Sequence, residues 1–260
     1  MALRRLGIYL PRLYPPKAPI PLPGGVVHEV TDDEIESEFG ENLGGEGVMT
    51  YEYAILRKRL RRRGSGDDRR VVYERNGPGP TDESFVALLD LVSGDWRHRF
   101  HVPMPTKWIR GATMPRAIRM RHLTPQFAVR LRAGMEFLVK TRRLEIALHR
   151  WGASYKRGNA LESVLDCCAA LEAVINTESE LRLRLALSVG ELVARGKEHS
   201  RRMVYRLYGV RNKFVHGAAL PSVPSTDAEA LVAVTAAVLN GIIRTRKLPA
   251  PLEEARLLAV

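Results

Sequence analysis

The segment after Asn159 repeats apolar residues with the period of an α-helix, and this pattern constrains the fold more than any other in the chain. Its apolar positions are Leu161, Val164, Leu165, Cys168, Leu171 and Ile175. Residues three and four apart share one face of a helix, so the segment predicts a helix with one buried stripe. Asn159 is a suitable N-cap for it. Glu172 falls beside the stripe and needs a polar partner if it is buried.

Further helices are predicted on both sides of this one. Thr124 and Pro125 form a typical helix start. The apolar residues that follow at helical spacing are Phe127, Leu131, Met135, Leu138 and Val139. The segment from Leu181, LRLRLALSV, alternates with period two, but its Leu, Ala and Arg content favours helix, with Thr177 and Glu180 as a capping box.

Two more helices complete the predicted bundle. The fourth carries Met203, Val204 and Leu207 on its apolar face. The last begins at a capping box of Thr226 and Glu229. Its core positions are Leu231, Val238, Leu239 and Ile242. Residues 124–260 therefore predict an all-α bundle of about five helices.

The first 123 residues predict a smaller mixed or β-rich domain, so the fold class is α+β overall. Met49, Tyr51, Tyr53 and Ile55 alternate as in a half-buried strand, and residues 71–73 suggest a partner strand. Between them, the basic run 57–63 reads as an exposed loop that is also able to follow an RNA backbone.

The composition points to a polyanionic partner. The formal net charge is +12, and 33 of the 41 basic residues are Arg. Arg binds phosphate in a planar, bidentate manner, so RNA or DNA is expected rather than a membrane, although base composition of the genome also explains an Arg excess. The adjacent Cys167 and Cys168 read as reduced core residues, and no metal-ligand spacing occurs. No apolar run reaches the length of a membrane span and no signal peptide is evident, so we expect a soluble cytoplasmic protein without cofactor or metal.

One short segment, LYGVRNKFVHG, carries the residues best suited to chemistry. It places Arg211, Asn212 and His216 between Gly209 and Gly217. Arg holds phosphate and His moves protons near neutral pH. Arg followed by His at this spacing recurs elsewhere in the chain, so the pair alone decides nothing. We expect Gly209 to break the preceding helix, placing the segment between the fourth helix and the last.

Three segments in order, VLDCCAALEAVIN, LRLRLALSV and LYGVRNKFVHG, closely resemble the HEPN family (higher eukaryotes and prokaryotes nucleotide-binding), in particular its ApeA-like branch. The resemblance covers about residues 125–245. It implies a four- or five-helix bundle that forms a homodimer, with a metal-independent ribonuclease site at the interface. It assigns the catalytic Arg to Arg211, the polar residue after it to Asn212 and the catalytic His to His216. Ala218 stands where relatives controlled by modification of a Tyr have that Tyr, so we expect no such control here.

The implied function is endoribonuclease activity, as a toxin or antiviral abortive-infection effector that cleaves RNA by attack of the 2′-hydroxyl. Lys213, Arg206 and Arg202 are expected to bind the RNA, and an antitoxin or defence-system protein is a candidate partner. The alternative within the fold is a catalytically inactive RNA-binding or scaffold subunit of a defence complex. A DNA-binding regulator ranks last because no helix-turn-helix signature occurs. A purely structural role also stays open, in which His216 caps a helix and Arg211 pairs with a carboxylate such as Glu172.

Overall fold

The structure is a computed structural model of the chain. It describes residues 6–9, 13–14, 19–31, 69–75, 79–93, 121–122, 125–175, 181–217 and 222–250. The predicted strand at 49–55, the basic run 57–63, the Thr177–Glu180 capping box and Ala218 lie outside these residues. The chain divides into two compact units, one formed by Met1–Pro78 with Arg119–Pro125 and the other by Gly79–Ile118 with Gln126–Val260.

The first unit contains a four-stranded antiparallel sheet. Its strands are β1 (Leu6–Tyr9), β3 (Ile20–Leu22), β4 (Gly25–Thr31) and β5 (Arg69–Arg75), in the spatial order β1-β5-β4-β3. The prediction of a strand at residues 71–73 is confirmed. The β3–β4 hairpin turns at Gly24, whose φ of 80° suits a residue without a side chain. Two short strands, β2 (Leu13–Tyr14) and β6 (Arg121–His122), pair in parallel.

The second unit is helical. Its helices are α1 (Asp82–Ser93), α2 (Pro125–Lys140), α3 (Arg142–Ser154), α4 (Ala160–Val174), α5 (Leu181–Leu192), α6 (Lys197–Val215) and α7 (Ser225–Thr245). The predicted combination of a helical domain with a small sheet is thus present. In the part of the chain that the structure describes, six helices follow residue 124 rather than the predicted five or so, because α3 was not foreseen.

The boundary at 123/124 is also misplaced. α1 packs against α3 and therefore belongs to the helical unit, although the sequence placed it in the N-terminal domain. Phe85 and Leu88 on α1 are fully buried. Gly152 on α3 lies so close to Ala87 that an added Cβ would come within 2.8 Å of the Ala87 Cβ. The close fit shows that α1 is part of the helical core.

α4 packs against α3, α6 and α7. Asn159 caps it as predicted, its side chain accepting a hydrogen bond of 2.8 Å from the backbone N–H of Leu161. Cys167 and Cys168 are free and buried in this helix, in agreement with the prediction. Burial raises the pKa of the Cys167 thiol to about 12. Both thiols are core groups rather than nucleophiles.

One helix start and one position of a predicted apolar stripe differ from the sequence predictions. α2 begins at Pro125 as predicted, and LRLRLALSV is helical. The capping box at Thr226 is wrong, since α7 begins one residue earlier, at Ser225, and no side chain caps it. Val139 was expected on the apolar face of α2 but is 48% exposed.

α7 is the one described helix that is long and apolar enough to cross a membrane, with a mean hydropathy of 1.4. This differs from the sequence prediction that no run reaches such a length. Half of its most apolar stretch is buried within the protein. Its buried residues recur at helical spacing, which is typical of the core helix of a bundle. The cytoplasmic location stays a prediction.

Candidate functional site

α6 is continuous through Gly209, so the prediction of a helix break at this glycine is wrong. The glycine serves a different purpose, which is to let the guanidinium of Arg182 on α5 lie against the α6 backbone. A Cβ at position 209 would come within 2.9 Å of Arg182 Nη2 and 3.0 Å of Arg182 Cζ. The helix ends instead at Val215, with His216 as its C-cap, and Gly217 follows with a left-handed φ of 75°.

The continuous helix aligns several of the groups on one face. Tyr205, Tyr208, Asn212 and His216 are spaced by three, four and four residues, which keeps them within about 80° around the helix axis. They face α5 across an open groove of about 450 Å³. The groove is lined by Leu181, Arg182, Leu183, Tyr205, Tyr208, Arg211, Asn212 and His216. All three predicted catalytic residues therefore share one concave surface.

Arg211 is held by a carboxylate from α4. Its Nη2 lies 3.1 Å from Glu172 Oε1, and both side chains are about one-quarter exposed. Tyr208 donates a 2.6 Å hydrogen bond from its hydroxyl to the same Glu172 oxygen. The Arg211 Cζ also lies 5.3 Å from the centre of the Tyr208 ring. The prediction that Glu172 needs a partner, and the hypothesis that Arg211 provides it, are both confirmed.

Tyr208 is almost completely buried, and its hydroxyl serves as a fixed donor to Glu172. Burial, together with the hydrogen bond to the carboxylate, raises the pKa of Tyr208 above its usual value. The hydroxyl is therefore neutral at physiological pH. Glu172 thus stays anchored to the core while it orients the Arg211 guanidinium.

Asn212 lies in the last turn of α6, and His216 is the C-cap residue that follows the helix. The Asn212 Oδ1 accepts a 3.3 Å hydrogen bond from Arg211 Nη1. The His216 backbone N–H donates to the Asn212 carbonyl at 3.0 Å, and its side chain is exposed at the end of the groove. Within the described part of the chain, the imidazole has no hydrogen-bond partner. It is accessible to a substrate in the groove.

Arg182 is a groove residue that the sequence reasoning missed. Its Nε donates a 2.8 Å hydrogen bond to the Tyr205 carbonyl, and its Cζ lies 3.8 Å from the centre of the Tyr205 ring. No Asp or Glu among the described residues forms an ion pair with it. Its position in the alternating LRLRL pattern gave no sign that it would be inserted between two helices.

The three residues expected to bind RNA lie elsewhere on α6. Arg202 pairs with Glu198 at 2.6 Å and Arg206 pairs with Asp227 at 2.7 Å, so each side chain already contacts a carboxylate. The Arg206 hydrogen bond lowers the pKa of Asp227, which keeps that partner ionised. Lys213 is exposed. None of the three lines the groove, and their role in RNA binding stays a prediction.

The chain was compared with protein-family models, with curated proteins and with solved structures. None of the three comparisons finds a match. The resemblance to the HEPN family accordingly stays a prediction from the three sequence segments. As for metals, no group of three or more His, Cys, Asp or Glu side chains within the described ranges is arranged to hold an ion.

Proposed function

We propose that the protein is a metal-independent endoribonuclease of the HEPN type, acting as a toxin or abortive-infection effector. The observation that supports this most directly is the groove in which Arg211, Asn212 and His216 meet. It combines a fixed cation, a neutral amide and an accessible imidazole on a chain with a net charge of +12. These are the groups that phosphodiester cleavage without a metal requires.

In this mechanism, the 2′-oxygen of RNA attacks the neighbouring phosphorus while the bond from phosphorus to the 5′-oxygen breaks. An imidazole removes the proton of the 2′-hydroxyl and another returns a proton to the leaving 5′-oxygen. Arg211 binds the non-bridging oxygens as their charge increases. The products are a 2′,3′-cyclic phosphate and a free 5′-hydroxyl. DNA is not cleaved because it lacks the nucleophile.

Two imidazoles require two copies of the chain, because each copy supplies one His216 at the groove. A homodimer that brings two α6 C-terminal ends together supplies a base and an acid, as well as two Arg211 guanidinium groups. Val215, which is 56% exposed next to His216, is an apolar residue available for such an interface.

A second candidate is an RNA-binding or scaffold subunit that does not cleave. The observation in its favour is the Glu172–Arg211 ion pair, because a carboxylate beside the guanidinium weakens its attraction for phosphate. The two candidates differ in one measurable property, which is the appearance of cleaved products.

The test is incubation of the purified protein with single-stranded RNA in the presence of EDTA. We expect cleavage by the wild type and products that end in 2′,3′-cyclic phosphate. His216→Ala is expected to lower the rate by about 10²–10⁴-fold, the usual contribution of one proton-transfer group. Arg211→Ala should also remove most of the activity. Arg130→Ala is the matched control, since it removes one exposed positive charge from α2, which does not line the groove.

The proposal fails if the wild type cleaves no RNA or if His216→Ala and Arg211→Ala both cleave at the wild-type rate. RNA binding without cleavage would favour the scaffold candidate. Sizing of the protein tests the composite site, because a strict monomer cannot supply two imidazoles.

A further inference from the structure

We infer that Arg182 and Tyr205 form a second phosphate subsite in the groove, which binds the RNA backbone beside the phosphate held by Arg211. This inference rests on the proposed function, because it assigns a role to a further residue of the same groove. It extends the site from α6 to α5.

The first observation is the state of the Arg182 guanidinium. One of its nitrogens, Nε, is used in the hydrogen bond to the Tyr205 carbonyl. Its terminal nitrogens, Nη1 and Nη2, form no hydrogen bond or ion pair within the described part of the chain. Arg211 differs, because Glu172 balances its charge. Of the two Arg residues that line the groove, Arg182 is therefore the one whose charge is available to bind an anion.

The second observation is that the guanidinium is fixed before any ligand binds. Tyr205 covers one of its faces at 3.8 Å, and Gly209, one turn further along α6, leaves room for its tip. The Nε hydrogen bond sets its rotation about the long axis of the side chain. A group held in this way loses little conformational entropy on binding, which favours affinity.

The third observation concerns location and ligand class. Arg182 lines the same groove as Arg211 and His216, so a chain passing the catalytic groups also passes Arg182. A planar guanidinium with two terminal nitrogens suits bidentate binding of phosphate. The repeating phosphates of a single RNA strand provide such a group on either side of the bond that is cleaved.

The experiment that tests this subsite measures binding to a short single-stranded oligonucleotide with 2′-O-methyl sugars. This oligonucleotide has no free 2′-hydroxyl and therefore resists cleavage. Fluorescence anisotropy over a range of salt concentrations gives the affinity and its salt dependence. We expect Arg182→Ala to weaken binding about tenfold, as for the loss of one charge-assisted contact. The slope of log affinity against log salt should fall by about 0.7, the value for one phosphate of a single strand.

Gly209→Ala is the second variant, because it leaves Arg182 in the chain but displaces it. The three atoms nearest to the added Cβ all belong to the Arg182 guanidinium, which a change of side-chain rotamer can move away, and Ala is a better helix residue than Gly. We expect weaker RNA binding without a lower melting temperature. Arg130→Ala should bind as the wild type does, which controls for the loss of net charge.

The inference is overturned if Arg182→Ala binds with wild-type affinity and slope, or if Arg130→Ala reduces both to the same extent. It is also overturned if the wild type does not bind the oligonucleotide. The two proposals can fail separately. Normal binding by Arg182→Ala, together with loss of cleavage in His216→Ala, refutes the subsite alone. Weakened binding by Arg182→Ala, in a protein that cleaves no RNA, refutes the ribonuclease alone.

Discussion

Replacing Glu172 by Ala removes the one carboxylate that Tyr208 and Arg211 share. Tyr208 then keeps its buried hydroxyl but loses its acceptor, a cost of about 1–3 kcal/mol in free energy of unfolding. The ion pair with Arg211 adds at most about 1 kcal/mol, because both side chains are one-quarter exposed and water screens the pair. The expected loss of stability for Glu172→Ala is therefore about 1–4 kcal/mol.

The same contacts predict an order for two companion variants. Tyr208→Phe removes the hydroxyl as well as its bond, which leaves no unsatisfied donor, so about 1.5 kcal/mol is expected. Arg211→Ala leaves the Tyr208–Glu172 bond intact and should cost only about 0–1 kcal/mol. The structure thus separates the group that maintains the fold, Glu172, from the group proposed to act on RNA, Arg211.

Urea unfolding followed by helical circular dichroism measures all three variants. The reasoning is refuted if Arg211→Ala destabilises the protein as much as Glu172→Ala does. In that case the ion pair would be a structural requirement, and loss of cleavage in Arg211→Ala would only report unfolding. Circular dichroism of Arg211→Ala at the assay temperature is the accompanying check.

Three further predictions concern stability alone. Gly217→Ala should lower the free energy of unfolding by about 1 kcal/mol, since φ at this residue is 75°, and an unchanged urea midpoint would contradict it. Asn159→Ala should cost about 1 kcal/mol through loss of the N-cap of α4, whereas Asn159→Asp, which retains an acceptor, should cost much less. Because burial raises the pKa of Cys167 to about 12, this thiol contributes stability that is complete below the unfolded pKa near 8.5 and declines between there and 12. The free energy of unfolding of the wild type should therefore fall by about 1.4 kcal/mol per pH unit more than that of Cys167→Ala in this range. Equal falls for the two proteins in urea unfolding at pH 8 and pH 10 would contradict this prediction.

The helices with a clear start signal and a regular apolar stripe were predictable from the sequence, as α2 and α4 illustrate. α3 was missed although Leu144, Leu148 and Trp151 repeat at helical spacing and are fully buried. It follows α2 after the single residue Thr141, without a Gly or Pro to signal a new element. A stripe without a boundary signal is therefore easily overlooked.

The functional residues were predictable as residue types, but their arrangement was not. A glycine near the end of an apolar pattern most often marks a helix end, which is why Gly209 was interpreted as a break. Its actual role depends on Arg182, which is 27 residues away and belongs to another helix. Close approach between two helices depends on tertiary packing, and the local sequence around Gly209 does not predict it.

Each of the two units is formed by two separate stretches of the sequence, and this affects any attempt to express one unit alone. The chain leaves the sheet unit after Pro78, returns to it for Arg119–Pro125 and then leaves it again, so the helical unit is assembled from two stretches. A fragment that begins at 124 lacks α1, and with it Phe85, Leu88 and Leu91, whose burial stabilises the core by about 2 kcal/mol each. A fragment that begins at 79 retains α1 but carries β6 without its partner strand β2. A gene fusion or truncation that uses the helical unit alone therefore has no single cut point in the sequence.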